Sequence, residues 1–166
     1  MKLSLPIIIL ISMLPYTAFA DGTLNISGKV VASACTVDVN TVDRTIDLGS
    51  IQSFDLRSPT SGGEWVDFTL EVNQCPAGLN FATAKFSGDP DSNDVTTYKN
   101  TGTSTGASLQ LGARTTIYGN GTSMKSSVDP STHKATFPLS ARIYSAKGNA
   151  TSGTFHSVVN LTFTYQ

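Results

Sequence analysis

The stretch SVVNLTFTYQ, residues 157–166, decides the fold of this chain. Apolar and polar residues alternate along it, which is the two-residue period of a β-strand with one buried face. The apolar set is Val159, Leu161, Phe163 and Tyr165. Only Gln166 follows, so we expect no later segment to cover the outer edge of this strand. Because an uncovered apolar edge promotes pairing with another chain, the stretch predicts a strand that takes its neighbour from elsewhere.

Residues 1–20, MKLSLPIIILISMLPYTAFA, have the features of a secretory signal peptide. Lys2 precedes an apolar run, and Ala18 and Ala20 occupy the small-residue positions before a cleavage site. The apolar run is interrupted by prolines and is too short to span a bilayer. We therefore predict cleavage after Ala20, export of the remaining chain, and no direct insertion into the membrane.

Length and charge narrow the class of protein. A chain of 166 residues, less the signal peptide, suits one domain with a core of its own. Its formal net charge is −1, and charged residues of one sign do not cluster. The sequence therefore gives no support to nucleic-acid binding or to electrostatic association with a membrane.

Cys35 and Cys75 are the only cysteines in the sequence. An even pair in an exported chain is most simply a disulfide, because the compartment is oxidising. A zinc site would need further ligands, and His133 and His156 do not lie at ligand spacing from either cysteine. We predict a Cys35–Cys75 disulfide and no metal site.

The rest of the chain is a succession of strand-like segments rich in Val, Ile, Thr, Phe and Tyr, separated by turns rich in Gly, Asn, Asp, Ser and Pro. No segment shows a sustained 3.6-residue apolar period. Several short strands in one domain indicate an all-β sandwich. The strand-like segments before the final one are 23–31, 45–49, 65–73, 81–88, 108–112 and 136–145, the last of them interrupted by Pro138.

The strand-like segment nearest the cleavage site has a clean apolar face. Leu24, Ile26, Gly28 and Val30 lie on one side, and polar residues lie on the other. Because the segment follows the cleavage site directly, we expect no hairpin partner before it. It is either the ordinary first strand of a complete sandwich or a strand that is offered to another molecule.

Several stretches, taken together and in order, resemble the chaperone–usher pilins, and within them the minor tip subunits of type 1 fimbriae. Tyr165 is the penultimate residue and Gly153 is fourteenth from the end, as in that family. The resemblance covers essentially the whole exported chain. The matching stretches are GKVVASACTV (28–37), DLGSIQSFDL (47–56), FTLEVNQCPAG (68–78), ARIY (141–144) and LTFTYQ (161–166).

The resemblance implies an incomplete immunoglobulin-like β-sandwich that lacks its last strand and is completed in trans by donor-strand complementation. It divides the chain into a signal peptide (1–20), an N-terminal donor-strand extension (21–31) and a pilin domain (32–166). Gly153 would be a family turn position. The donor residues would be Leu24, Ile26, Gly28 and Val30, and the acceptor groove would be bordered by Val159, Leu161, Phe163 and Tyr165.

The partners follow from the same resemblance. A periplasmic chaperone would pair with the groove first, an outer-membrane usher would assemble the fibre, and the extension of a neighbouring subunit would then replace the chaperone. The resemblance implies a non-catalytic structural subunit, without cofactor or metal, that is carried through the periplasm to a fimbrium on the cell surface. The function expected is that of a tip adaptor which supports fimbria-mediated adhesion.

Other functions remain open at this stage. The chain could be the major rod pilin, or a receptor-binding adhesin, although such adhesins carry an added lectin domain and lack a donor extension. A hydrolase is suggested by GTSTG (102–106), which fits G-x-S-x-G around Ser104, with Asp129 and His133 following. That motif needs a strand before the serine and a helix after it, whereas turn residues precede Ser104 and a strand-like segment follows.

The acidic run DPDSND (89–94) lacks the glycine of a calcium loop, so we expect a solvated turn there and not a calcium site.

Overall fold

A computed structural model describes residues 27, 34–38, 40–42, 44–113 and 115–166. The predicted signal peptide and the four predicted donor residues, Leu24, Ile26, Gly28 and Val30, lie outside the described residues. From Ala34 onward, the described residues belong to one compact unit. In this part of the chain, no helix is long and apolar enough to cross a membrane.

The described residues form ten β-strands and no helix, so the predicted all-β class is confirmed. The strands are β1 (Thr36–Val37), β2 (Ser61–Gly62), β3 (Val66–Asn73), β4 (Phe81–Ser87), β5 (Tyr98–Lys99), β6 (Ser108–Ala113), β7 (Thr116–Ile117), β8 (Ser123–Ser127), β9 (Ala135–Ser145) and β10 (Asn160–Tyr165).

The strands form two antiparallel sheets. In the larger sheet the order is β1-β3-β9-β6-β5, with β2 also pairing with β9 and β7 with β6. In the smaller sheet the order is β10-β4-β8. Inward-facing side chains from both sheets build the core, because successive residues of a strand point to opposite faces. Phe137 on β9 and Phe86 on β4 are both completely buried.

The disulfide between Cys35 and Cys75 is formed, as the sequence predicted. Both cysteines are buried, and the bond ties the start of β1 to the segment that follows β3. Beside it, the amide of Cys75 donates a 3.0 Å hydrogen bond to the carbonyl of His133. His133 therefore lies against the backbone next to the disulfide.

Pro138 does not interrupt β9, although the sequence pattern suggests a break there. The strand continues through the proline, which pairs with Thr69 on β3. Pairing of β9 with β6 begins only at Ser140, so β9 has a paired strand on one side alone at Pro138. A proline is tolerated at such a local edge, because its missing N–H is not needed for a second ladder.

Two segments differ from the sequence-based expectation. Residues 45–49 are not a strand; the segment is irregular, with the Gly49 amide donating to an Asp47 carboxylate oxygen at 2.8 Å and Gly49 at φ 67°. Leu48 nevertheless packs on the core, which explains the apolar alternation. Conversely, the sequence pattern does not predict β8, because Met124 is its single apolar residue.

Tyr98 on β5 is completely buried, yet its hydroxyl has no hydrogen-bond partner among the described residues. Burial raises the pKa of Tyr98 to about 12, because the charged phenolate is disfavoured away from water. Gly88 makes this packing possible, since a Cβ there would lie 2.9 Å from Cδ1 of Tyr98. The tyrosine is held by packing and not by its hydroxyl.

We predict that the folded chain loses stability between about pH 10 and about pH 12 as Tyr98 ionises in the unfolded state only. Below that window the phenol is protonated in both the folded and the unfolded state, so the raised pKa does not change the free energy of unfolding there. In Tyr98→Phe the alkaline loss should shrink, and stability at about pH 8 should be equal or higher because an unsatisfied buried hydroxyl is removed. Urea unfolding of both chains at about pH 8 and about pH 11 checks this. An alkaline loss of equal size in both would contradict the assignment.

Candidate functional site

The final strand, β10, is an edge strand. It pairs with β4 in six consecutive register pairs, from Asn160 with Ser87 to Tyr165 with Ala82. Beyond the strand, the amides of Gln166 and Phe81 each donate to the other's carbonyl at 2.9 Å. In the described part of the chain, no strand pairs with the other side of β10. The peptide groups on that side are available to a further strand.

The core-facing residues of β10 are covered from one side only. We call Val159 and the three residues Leu161, Phe163 and Tyr165 the β10 row. The last three pair with Phe86, Ala84 and Ala82 on β4, which are all 0% exposed. Every member of the β10 row, by contrast, is only half-buried, although it packs on the same core. The loss of burial from β4 to β10 marks the side from which a strand is missing.

Phe163 links the β10 row to the larger sheet. Its ring lies 5.5 Å from that of Phe137 on β9, centroid to centroid, in a tilted arrangement. Tyr165, at the end of the row, is partly desolvated, and this burial raises the pKa of its phenol. The row therefore lies at the margin of the sandwich core and is partly open to solvent.

The opposite edge of the smaller sheet is connected differently. There, the hydroxyl of Ser126 on β8 donates a 2.7 Å hydrogen bond to the carbonyl of Thr136 on β9. This contact joins the two sheets along the β8 side. Along β10, by contrast, no strand among the described residues pairs with the outer side.

Gly153 lies in an exposed loop before β10, and its role is steric. A Cβ at this position would lie 2.5 Å from the amide nitrogen of Ser104 and 2.8 Å from its Cα. The loop that contains Ser104 interlocks with Thr154: the Ser104 amide donates to the Thr154 carbonyl at 3.0 Å, and the Thr154 amide donates to the Thr103 hydroxyl at 2.8 Å. Only glycine allows this close approach, which holds the segment that leads to β10.

The residues of the hydrolase alternative have separate local partners. The hydroxyl of Ser104 donates to the Thr151 carbonyl at 2.7 Å, and Nδ1 of His133 lies 3.0 Å from the Cys75 carbonyl. Asp129 accepts from the hydroxyl of Ser131 at 2.6 Å, and this bond contributes most to lowering the pKa of the carboxylate. The three side chains form turn and loop contacts and are not hydrogen-bonded to one another; the one bond between these residues is a backbone bond, from the His133 amide to the Asp129 carbonyl at 2.8 Å.

The acidic run at residues 89–94 also makes turn contacts. Asp91 accepts a 2.8 Å hydrogen bond from the amide of Asn93, and Asp94 accepts a 2.9 Å bond from the amide of Thr96. These are the side-chain-to-backbone bonds by which aspartate stabilises turns. Within the described residues, no group of three or more His, Cys, Asp and Glu side chains is arranged to hold a metal ion.

The family profile described as Fimbrial protein matches residues 24–166, and the chain belongs to this family. It is a structural subunit of a fimbrium, displayed at the cell surface as a component of a fibre that contains other pilus subunits. Among its relatives is Protein FimG of Escherichia coli K12, with 40% identity over 147 residues, 88% of this chain and 86% of the relative. The S-fimbrial adhesin protein SfaS of Escherichia coli O6:K15:H31 is 35% identical over 160 residues, 94% and 93% of the two chains.

A solved structure confirms the fold class. The crystal structure of the P pilus rod subunit PapA superposes with a TM-score of 0.68 at 18% identity, covering 80% of this chain and 99% of PapA. The fold is the incomplete immunoglobulin-like sandwich of the chaperone–usher pilins, as the resemblance implied.

We predict that Phe163→Ala weakens the groove while Thr164→Ala, its neighbour on the opposite face, does not. Loss of the half-buried ring and of its contact with Phe137 should lower the free energy of unfolding by about 2 kcal/mol or more. Thr164 is exposed, so its truncation should change that free energy by less than about 0.5 kcal/mol. Urea unfolding of the chain bound to a strand-donating partner checks both values. Equal losses in the two variants would show that the β10 row is not part of the groove.

Proposed function

We propose that the chain is a minor fimbrial subunit that serves as an adaptor near the fibre tip. It joins two neighbours by strand exchange and supports adhesion mechanically, without catalysing a reaction. The observation that carries this proposal is the half-buried β10 row beside a free strand edge. The similarity to FimG and to the minor tip subunits supports the tip position over the rod position.

On the donor side, we propose that Leu24, Ile26, Gly28 and Val30 enter the groove of the next subunit. Burial of the three larger apolar side chains at about 1.5–3 kcal/mol each yields roughly 5–9 kcal/mol before the backbone ladder is counted. Ordering the extension offsets part of this. Gly28 lies in phase with the apolar set, where a side chain would collide with the floor of the accepting groove.

The acceptor side also accounts for the assembly partners. A half-exposed apolar row next to unpaired peptide groups promotes aggregation if it is left uncovered. We therefore propose that signal-peptide cleavage after Ala20 delivers the chain to the periplasm, where a chaperone strand covers the β10 row. An outer-membrane usher would then exchange that strand for the extension of another subunit. In this sequence of events a donated strand, first from the chaperone and then from another subunit, covers the groove at every stage.

A synthetic Asp21–Val31 peptide tests the donor assignment. We expect it to bind and stabilise the fimbrial subunit that accepts it, whereas the Gly28→Leu peptide should not insert because the added side chain meets the groove floor. The matched control is Ser27→Leu, which adds the same side chain on the outward face of the peptide. Thermal unfolding and native mass spectrometry report insertion. Normal insertion of the Gly28→Leu peptide would overturn the assignment of the groove-facing set.

The adaptor position is tested by counting copies. Quantitative mass spectrometry of purified fibres should find this chain at a small fraction of the main component, because an adaptor is needed only near one end. Deletion of the chain should shorten or remove the tip and leave rod subunits able to polymerise. Abundance equal to that of the main component would instead assign it to the rod.

A further inference from the structure

The outer face of the larger sheet contains a small depression that is separate from the β10 row. Its volume is about 170 Å³, and it lies between the start of β3, the end of β6 and the middle of β9. The lining residues are Trp65, Asp67, Gly112, Ala113 and Ser140. Asp67 and Ser140 are a register pair of β3 and β9, and Gly112 pairs with Ser140 from the other side. The depression is therefore built on three adjacent strands.

Trp65 forms the aromatic wall of this depression. It is the only tryptophan of the chain, and its side chain is 38% exposed. The guanidinium carbon of Arg142 lies 4.4 Å from its ring centroid. Gly112 provides the floor, because a Cβ there would lie 3.3 Å from Cη2 of Trp65 and 3.0 Å from the Thr116 carbonyl. Arg142 therefore lies over one face of the indole, and the backbone at Gly112 lies against its edge.

Hydrogen-bond donors and acceptors both lie near the indole ring of Trp65. The Ser140 hydroxyl donates to Oδ1 of Asp67 at 2.6 Å, so Oδ2 of Asp67 and the lone pairs of Ser140 stay open as acceptors. Nε of Arg142 donates to Oε1 of the buried Gln110 at 2.8 Å, which fixes the guanidinium. Its terminal nitrogens have no acceptor among the described residues and remain available as donors.

We propose that this depression binds one neutral sugar residue. A pyranose ring has an apolar C–H face that can pack on the indole face opposite Arg142, and hydroxyls that can donate to Asp67 and Ser140. Charge favours a neutral ligand, since the guanidinium behind the indole repels a cation and the carboxylate of Asp67 repels an anion. The volume equals about six water molecules at about 30 Å³ each, which suits a single ring and not an extended oligosaccharide.

This site is independent of strand exchange. Trp65 and its neighbours lie on the larger sheet, whereas β10 is an edge of the smaller one. A subunit could therefore hold its fibre neighbours and a sugar at the same time. Failure of sugar binding would leave the adaptor function untouched.

The test uses the exported full chain as purified, with any subunit or chaperone that accompanies it. The probes are the methyl glycosides of glucose, galactose, mannose and N-acetylglucosamine, examined by saturation-transfer NMR. We expect at least one of them to bind saturably with a Kd in the millimolar range, as befits a shallow single-ring site. Asp67→Ala should weaken that binding at least tenfold, and Trp65→Ala should abolish it.

The matched control is Phe81→Ala on the smaller sheet. Phe81 is also a partly exposed aromatic residue with a cation over its ring, Lys125 at 3.8 Å. Binding in this variant should equal that of the unchanged chain. Absence of binding by all four glycosides, or equal binding in Trp65→Ala, overturns the proposal. Tighter binding of methylammonium than of any glycoside also overturns it and assigns the depression to a basic side chain of a protein partner.

Discussion

The backbone of β10 pairs with a neighbouring strand on one side only, and the function proposed for the protein depends on this constraint. Its inner side is completed by β4, and its outer side has no partner strand among the described residues. Because the side chains of β4 are wholly buried while the β10 row beside them is not, the core ends abruptly at this edge. A sandwich of this kind gains both hydrogen bonds and apolar burial when a further strand arrives, so association continues its folding.

Such an edge is useful only if it is presented in a defined geometry. The loop before β10 is therefore locked by close packing instead of by a strand ladder. Gly153 approaches the backbone of Ser104, and the side chains and backbone of Thr103 and Thr154 exchange hydrogen bonds around it. At the other end of the fold, the Cys35–Cys75 bond ties β1 to the end of β3. The contacts on either side of the strand hold it in place, and the peptide groups on its outer side stay unpaired among the described residues.

Much of this architecture could be predicted from local pattern, and the misses have identifiable causes. The alternation in β3, β4, β6, β9 and β10 is strong because the apolar residues of each strand face the core. Residues 45–49 alternate in the same way but form irregular structure, because Leu48 can reach the core without the backbone joining a ladder. The strand β8 lacks a readable pattern because polar residues are tolerated on a short edge strand. Pro138 suggests a break that does not occur, because its neighbour strand β6 begins pairing two residues later.

The sequence by itself determined the fold class, the disulfide, the edge character of the last strand and the family, because each depends on residue type and spacing along the chain. Only the tertiary structure decided which side chains and backbone segments contact one another at these features. The steric demand at Gly153, the burial contrast between β4 and β10, and the meeting of Trp65 and Asp67 with Ser140 and Arg142 all join segments distant in sequence. Pairing register between strands sets such neighbours, and register is a property of the folded sheet and not of any one segment.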